Sequence, residues 1–178
     1  MEPLDVRHAA DLASEVDSQT FQHFAAVRPQ SADPKGLEDF IRSVQSLQDV
    51  VGFATVLKES GRAVGSTTFM DIRPPHRGLE IGMTWIGRNH RGTKVNPEAK
   101  LLMLRHAFDD LGAERVQLKC DSRNLQSQAA ILKLGAKFEG CLRKHFILPD
   151  GYIRDTMMYS IIRSEWPNVR DGLLARLG

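Results

Sequence analysis

The stretch LEIGMTWIGRNHRGTKVNPEAKLLMLRHAFDDL, Leu79 to Leu111, decides the fold. In its first part Leu79, Ile81, Met83 and Trp85 alternate with Glu80, Gly82 and Thr84, the two-residue period of a half-buried strand. In its last part Ala99, Leu102, Met103, Ala107, Phe108 and Leu111 recur at helical spacing. Between them lies a short basic loop. Asn96 is the predicted N-cap of the helix, and Pro97 suits the first helical position. A strand that runs through a loop into a helix N-terminus presents unpaired amides and a positive dipole end, a setting for an anion such as phosphate. Strand–loop–helix units are common, so this feature alone does not assign a ligand.

Outward from this stretch, hydrophobic periodicity predicts an α/β domain over 1–178. Met1 to Val6 reads as a short strand and His8 to Val16 as a helix, with Phe21 to Pro34 turn-rich. Leu37 to Leu47 is a helix on the spacing of Leu37, Phe40, Ile41, Val44 and Leu47. Val50–Leu57 and Ala63–Ile72 form a hairpin about the turn Lys58–Gly61, and Arg73–Gly78 is a loop. After Gly112, a plausible helix C-cap, come a strand at Val116–Cys120 and a helix at Leu125–Leu134 that stops at Gly135. Lys137–Leu148 and Tyr152–Ile162 form a second hairpin around Pro149-Asp150-Gly151. Ser164–Leu177 is a terminal helix, with Ser164 as its cap and Glu165 in its first turn. Strands in hairpins combined with strands alternating with helices imply a mixed sheet.

Composition narrows the function. The 178 residues fit one domain, and the formal charge of +2 gives no footprint for nucleic acid. Cys120 and Cys141 are the only cysteines and suggest no disulfide framework, which fits a cytoplasmic protein. No apolar run approaches the ~20 residues of a membrane helix. His90 and His106 have no ligand partner at metal spacing, so no metal is expected.

Three motifs in order carry a resemblance. They are Arg91-Gly92-Thr93-Lys94-Val95-Asn96, then Asn124-Leu-Gln-Ser127 leading to Lys133-Leu134-Gly135, then Glu139-Gly140-Cys141-Leu142-Arg143. With the tail from Arg154 to Pro167, the chain resembles the GNAT superfamily of acetyl-coenzyme A-dependent N-acyltransferases. Within it, the chain is similar to the RimJ/RimL branch, the ribosomal-protein N-terminal acetyltransferases and their relatives. The resemblance covers nearly the whole chain. It implies the GNAT fold: a mixed, mostly antiparallel sheet flanked by helices.

It also implies acetyl-CoA as cosubstrate, with the diphosphate on the loop of Arg91, Gly92, Thr93, Lys94, Val95 and Asn96. Trp85 and Ile86 would run their backbone beside the pantetheine arm, although the Trp85 side chain reads as packing. Asn124 and Ser127 would meet the same arm. The loop departs from the family pattern at Lys94 and Asn96, where glycine or alanine is usual. Lysine lacks glycine's backbone freedom but can offer a point charge to a diphosphate.

Acetyl transfer to an amine requires positioning, a base, an oxyanion donor and a proton for the leaving thiolate. On the resemblance, Glu80 is the candidate base; a solvated strand-face carboxylate is the other reading. Ile131 stands where many members carry a tyrosine acid, so Ser127 is the candidate acid, unless it only satisfies a helix amide. His145 and Asp155 are candidate acceptor-binding residues; a structural histidine and an ion-paired aspartate are the alternatives. Both cysteines read as core. A protein or peptide N-terminus, a small amine, or a CoA-binding module without turnover all fit, and the resemblance also allows a homodimer.

Overall fold

The structure is a computed structural model that describes residues 1–25 and 27–178. Among the described residues, seven strands form one mixed sheet: β1 (Glu2–Pro3), β2 (Val51–Val56), β3 (Ala63–Arg73), β4 (Gly78–Ile86), β5 (Arg115–Asp121), β6 (Lys137–Ile147) and β7 (Ile153–Ile162). Their order across the sheet is β1-β2-β3-β4-β5-β7-β6. Every neighbouring pair is antiparallel except β4–β5, which is parallel and reached through a helical crossover.

Five α-helices among the described residues cover the sheet: α1 (Ala9–Glu15), α2 (Pro34–Gln45), α3 (Val95–Arg105), α4 (Leu125–Lys133) and α5 (Trp166–Leu177). Two hydrophobic clusters show how the faces are divided. Leu12 of α1 and Leu37, Phe40, Ile41 and Val44 of α2 pack with Ala54, Ala63 and Trp85. On the other face Met103 and Leu104 of α3, Ile131 of α4 and Leu173 of α5 pack with Leu79, Ile81, Val116, Leu118 and Tyr159.

Several boundaries differ from the sequence reading. The helix after the loop begins at Val95, with Lys94 in the cap position, so Asn96 is not the N-cap and Pro97 stands third in the helix. Helix α2 starts at Pro34 because Asp33 caps it, its side chain accepting from Gly36 N at 2.8 Å. Ser164 caps nothing: residues 163–165 make a tight turn, and Glu165 Oε2 accepts from Ile162 N at 3.1 Å. Cys120 is buried as expected, but Cys141 is exposed.

The most consequential difference lies in β4. Gly82 pairs with Thr68 and Trp85 with Ser66, so Met83 and Thr84 together face Thr67. This is a β-bulge, and Met83 holds a left-handed φ of 46° within it. The extra residue inverts the alternation. Leu79 and Ile81 face α3, whereas Trp85 packs on α1 and α2. The four residues read as one stripe in sequence therefore divide between the two faces.

Candidate active site

The parallel pairing of β4 and β5 lasts for three residue pairs, Gly78–Arg115, Leu79–Val116 and Glu80–Gln117. Beyond Glu80 the strands diverge. Among the described residues, the β4 edge from Ile81 onward has no strand beside it on this side, while β5 remains paired to β7 as far as Asp121. The bulge lies on this diverging stretch and turns β4 away. The result is a split in the middle of the sheet, with exposed backbone donors and acceptors on its β4 side.

A buried polar network holds the bulge. The Gly82 carbonyl accepts from the hydroxyls of Thr68 at 3.1 Å, Thr67 at 3.3 Å and Thr84 at 3.4 Å. Lys100 of α3 donates to Thr84 Oγ1 at 2.7 Å and to Thr67 Oγ1 at 3.1 Å. Lys100 is 4% exposed. Among the described residues it has no carboxylate within ion-pair distance, and burial pushes its pKa down to about 7. Sequence reading missed it, because a lysine in an amphipathic helix ordinarily reads as surface. The one available signal was its position between the core residues Ala99 and Met103.

The loop leads from the end of the split to α3. Gly92 has φ 75°, a left-handed conformation that suits glycine. Among the described residues, the amides of Gly92, Thr93 and Lys94 donate to no other group, while Val95 N reaches Thr93 Oγ1 at 3.3 Å. These free amides at a helix N-terminus fit a diphosphate. The loop's two cations are engaged elsewhere. Arg91 donates to Asp17 at 2.9 and 3.2 Å, to Thr20 Oγ1 at 3.0 Å and to the Ile86 carbonyl at 3.0 Å. Its bonds hold the Asp17 carboxyl down at a pKa of about 2. Lys94 Nζ donates to the Leu177 carbonyl at 2.7 Å. Asn96 Oδ1 is buried without a partner among the described residues.

Glu80 lies on the face away from α3 and is 1% exposed, so it is not a solvated carboxylate. Its Oε2 accepts from Gln117 Nε2 at 2.8 Å and Lys119 Nζ at 3.0 Å. Its Oε1 has no donor among the described residues. A Cβ on Gly82 would stand 3.0 Å from Oε1 and 2.5 Å from Met70 Sδ, so the glycine keeps the space beside the free oxygen open.

On the α4 side of the split, Asn124 caps α4, with Oδ1 accepting from Ser127 N at 2.9 Å, which leaves its amide nitrogen free among the described residues. The Ser127 hydroxyl neighbours the Cys120 thiol; burial raises the thiol's pKa and Ser127 partly offsets the rise. Glu80 and Ser127 therefore flank the split from opposite faces. Trp85 is 4% exposed and packs edge-on against Phe21 at 5.3 Å. Ile86 is buried and offers its carbonyl to Arg91.

The two candidate acceptor-binding residues part company. His145 is exposed on the Glu80 side; burial and the charges of Lys119 and Arg154 lower its pKa. Asp155 stands on the opposite face of β7, with Met157 and Tyr159, and accepts from Lys144 N at 2.7 Å. It fixes the bulge at Lys144, φ 50°, and does not line the space beside Glu80.

The split between the parallel strands thus has free amides at one end and a buried carboxylate at the other. The chain belongs to the acetyltransferase (GNAT) domain family, whose model matches residues 1–137. Among its relatives is the ribosomal-protein-serine acetyltransferase of Escherichia coli (strain K12). The two are 26% identical over 137 residues, 71% of this chain and 76% of that protein. A presumed acetyltransferase from T. thermophilus superposes with a TM-score of 0.91 at 36% identity, covering 99% of this chain and 92% of that one. A GCN5-related N-acetyltransferase from Brucella melitensis gives 0.90 at 30% identity, covering 99% and 81%.

Proposed function

We propose that the protein transfers the acetyl group of acetyl-CoA to a primary α-amine by direct attack in a ternary complex. The observation that carries this is the split itself, which joins the free amides of residues 92–94 to the free oxygen of Glu80. Acetyl-CoA supplies the activated acyl group. The free amides of Gly92, Thr93 and Lys94 receive its diphosphate where Val95 and Asn96 open α3, with Arg91 bracing the loop and the Lys94 side chain tying it to α5. The β4 edge at Trp85 and Ile86 and the amide of Asn124 line the course of the pantetheine arm.

On the far face, Glu80 Oε1 accepts the proton of the incoming ammonium, directly or through a water. Lys119 and Gln117 hold the carboxylate in place through its other oxygen. Ser127 stands where a departing thiolate requires a hydrogen bond, backed by the Cys120 thiol. An α-amine, with a pKa of about 7.7–8.0, loses its proton far more readily than a lysine amine at about 10.4. A single carboxylate is therefore adequate for the former. A protein or peptide N-terminus in the cytosol is in keeping with the RimJ/RimL resemblance and with the ribosomal-protein relative. Calorimetry with CoA, followed by thiol release from acetyl-CoA with N-terminally free and blocked peptides and small amines, tests the reading. Turnover confined to small amines, or no turnover with CoA bound, would replace it.

A further inference from the structure

The half of the sheet made by β5, β7 and β6 is covered by α4 and α5 on one face only. On its other face Lys119, Asp121, Arg154 and Thr156 project beside Glu80, because β5 and β7 pair in continuous register from Arg115–Ile162 to Asp121–Thr156. After α1 the chain brings His23 onto this face, where its carbonyl accepts from Arg154.

The charges there are unevenly matched. Glu80 is taken by Lys119. Asp121 is taken by Arg123, through Nε at 3.1 Å and Nη2 at 2.8 Å. Arg154 is 5% exposed, and among the described residues no carboxylate lies within 4.0 Å of it. Among those residues its one hydrogen bond is from Nη1 to the His23 carbonyl at 3.3 Å, and its Nε is buried without an acceptor.

Two further polar atoms beside it are also orphaned among the described residues. Thr156 Oγ1, two residues along the same face of β7, is fully buried and unpaired. His23 Nδ1 lacks a hydrogen bond and lies 3.9 Å from Asp121 Oδ2. A buried guanidinium with one long bond is costly, and burial accordingly lowers the Arg154 pKa. The guanidinium also lies over the Phe146 ring, 5.5 Å from its centre, a weak cation–π contact that gives its N–H groups no acceptor. The same ring has Lys119 Nζ at 5.8 Å, so Phe146 neighbours both the Glu80–Lys119 pair and Arg154.

We propose that Arg154 receives a carboxylate of the acceptor, so that the protein selects amines whose own molecule carries a carboxylate a short distance away. This rests on the reading of Glu80 as the group that meets the acceptor amine. The orphaned Nε–H, the unused Nη2 and the Thr156 hydroxyl supply the planar donor set that a carboxylate takes in two-pronged fashion. The carboxylate is the α-carboxylate of a free amino acid or an acidic side chain within the first few residues of a peptide. A polyamine would bring a second cation against a buried cation and is disfavoured.

Calorimetry of matched acid and amide pairs tests this, with and without CoA present. The pairs are alanine and alaninamide, and the C-terminally amidated tripeptides Ala-Glu-Ala and Ala-Gln-Ala, with spermidine alongside. For the wild type, the acid of at least one pair is expected to bind roughly 10- to 100-fold more tightly than its amide, the range of a charge-assisted hydrogen bond. The pair that shows the preference identifies the source of the carboxylate. Arg154→Gln should abolish the preference and Arg154→Lys should keep part of it, while both retain wild-type CoA affinity. Equal binding of acid and amide in both pairs, preference for spermidine, or a preference that survives Arg154→Gln overturns the proposal. Failure to bind CoA counts against acetyl transfer alone, because the acid–amide comparison is also made without it.

Discussion

Lys100 Nζ lies 2.7 Å from Thr84 Oγ1, inside the sheet-to-α3 core and beneath the bulge that opens the split. An ammonium without a counter-ion is destabilising there, and its pKa falls to about 7. Between that value and the unfolded value of about 10.4 the unfolded chain binds a proton that the folded chain does not. Stability therefore rises with pH across this window and is least below pH 7. Chemical denaturation of the wild type and Lys100→Met at several pH values checks this. The wild type is expected to gain roughly 1 kcal/mol per pH unit relative to the variant from pH 7 upward. Parallel stability curves would show that Lys100 titrates normally.

Arg91 is expected to act mainly as a brace. Among the described residues, removing it leaves Asp17 with only Gln19 N and Thr20 Oγ1 as donors, at a cost of about 1–2 kcal/mol for a quarter-exposed pair. The Asp17 pKa is lowered to about 2, so this contribution is full above about pH 4 and is lost as pH falls through 2. Arg91→Ala should thus unfold at lower denaturant at neutral pH, and the gap should close in acid. Its CoA affinity should fall while the salt dependence of binding keeps its slope, since this guanidinium already faces a carboxylate. A flatter slope would return Arg91 to direct phosphate contact.

Gly82→Ala places a methyl against Met70 and beside Glu80 Oε1. Expected is a loss of turnover of about tenfold or more, with CoA affinity within about twofold of wild type, because the methyl crowds Met70 and the free oxygen and not the amides of residues 92–94. Equal losses in binding and turnover would mean that the substitution collapses the split itself.

Ser127→Ala removes the proposed hydrogen bond to the leaving thiolate and keeps the α4 cap, which comes from Asn124. Turnover is expected to fall about tenfold, with little change in KM. Full activity would assign the proton to the Cys120 thiol or to water, and Cys120→Ala in that background would separate the two.

Much of the fold was legible because hydrophobic period and turn chemistry agree over long segments. The two hairpins and the stops at Gly112 and Gly135 lie where the sequence puts them; of the α3 stripe Ala99, Met103, Ala107 and Phe108 are buried, whereas Leu111 is 54% exposed and Leu104, outside the stripe, is buried. The bulge was not legible: alternation from Leu79 to Trp85 looks unbroken, and only the pairing to Ser66 and Thr68 shows the inserted residue. Asn96 and Pro97 have the right chemistry for a helix start, yet the loop closes two residues sooner, since Lys94 is anchored on Leu177 far along the chain. Long-range partners also decide the site. Glu80 is distinguished from a surface carboxylate by Gln117 and Lys119, and Asp17, far along the chain, gives Arg91 a partner that the loop motif does not foretell. Lys100 and Arg154 look in sequence like ordinary surface cations; the place of Lys100 between Ala99 and Met103 is the one hint, and tertiary packing shows both to be buried.

The most direct test of acetyl transfer with Glu80 as base is the pH–rate profile of thiol release from acetyl-CoA, with an α-amine peptide as acceptor, for the wild type and Glu80→Gln. The wild type should show a rate that rises with pH and then levels. The variant should be slower by about 10²–10⁴-fold at neutral pH and recover toward the wild type as the amine loses its proton to solvent at high pH. An unchanged profile in Glu80→Gln, or no thiol release from the wild type with any amine, would contradict the account.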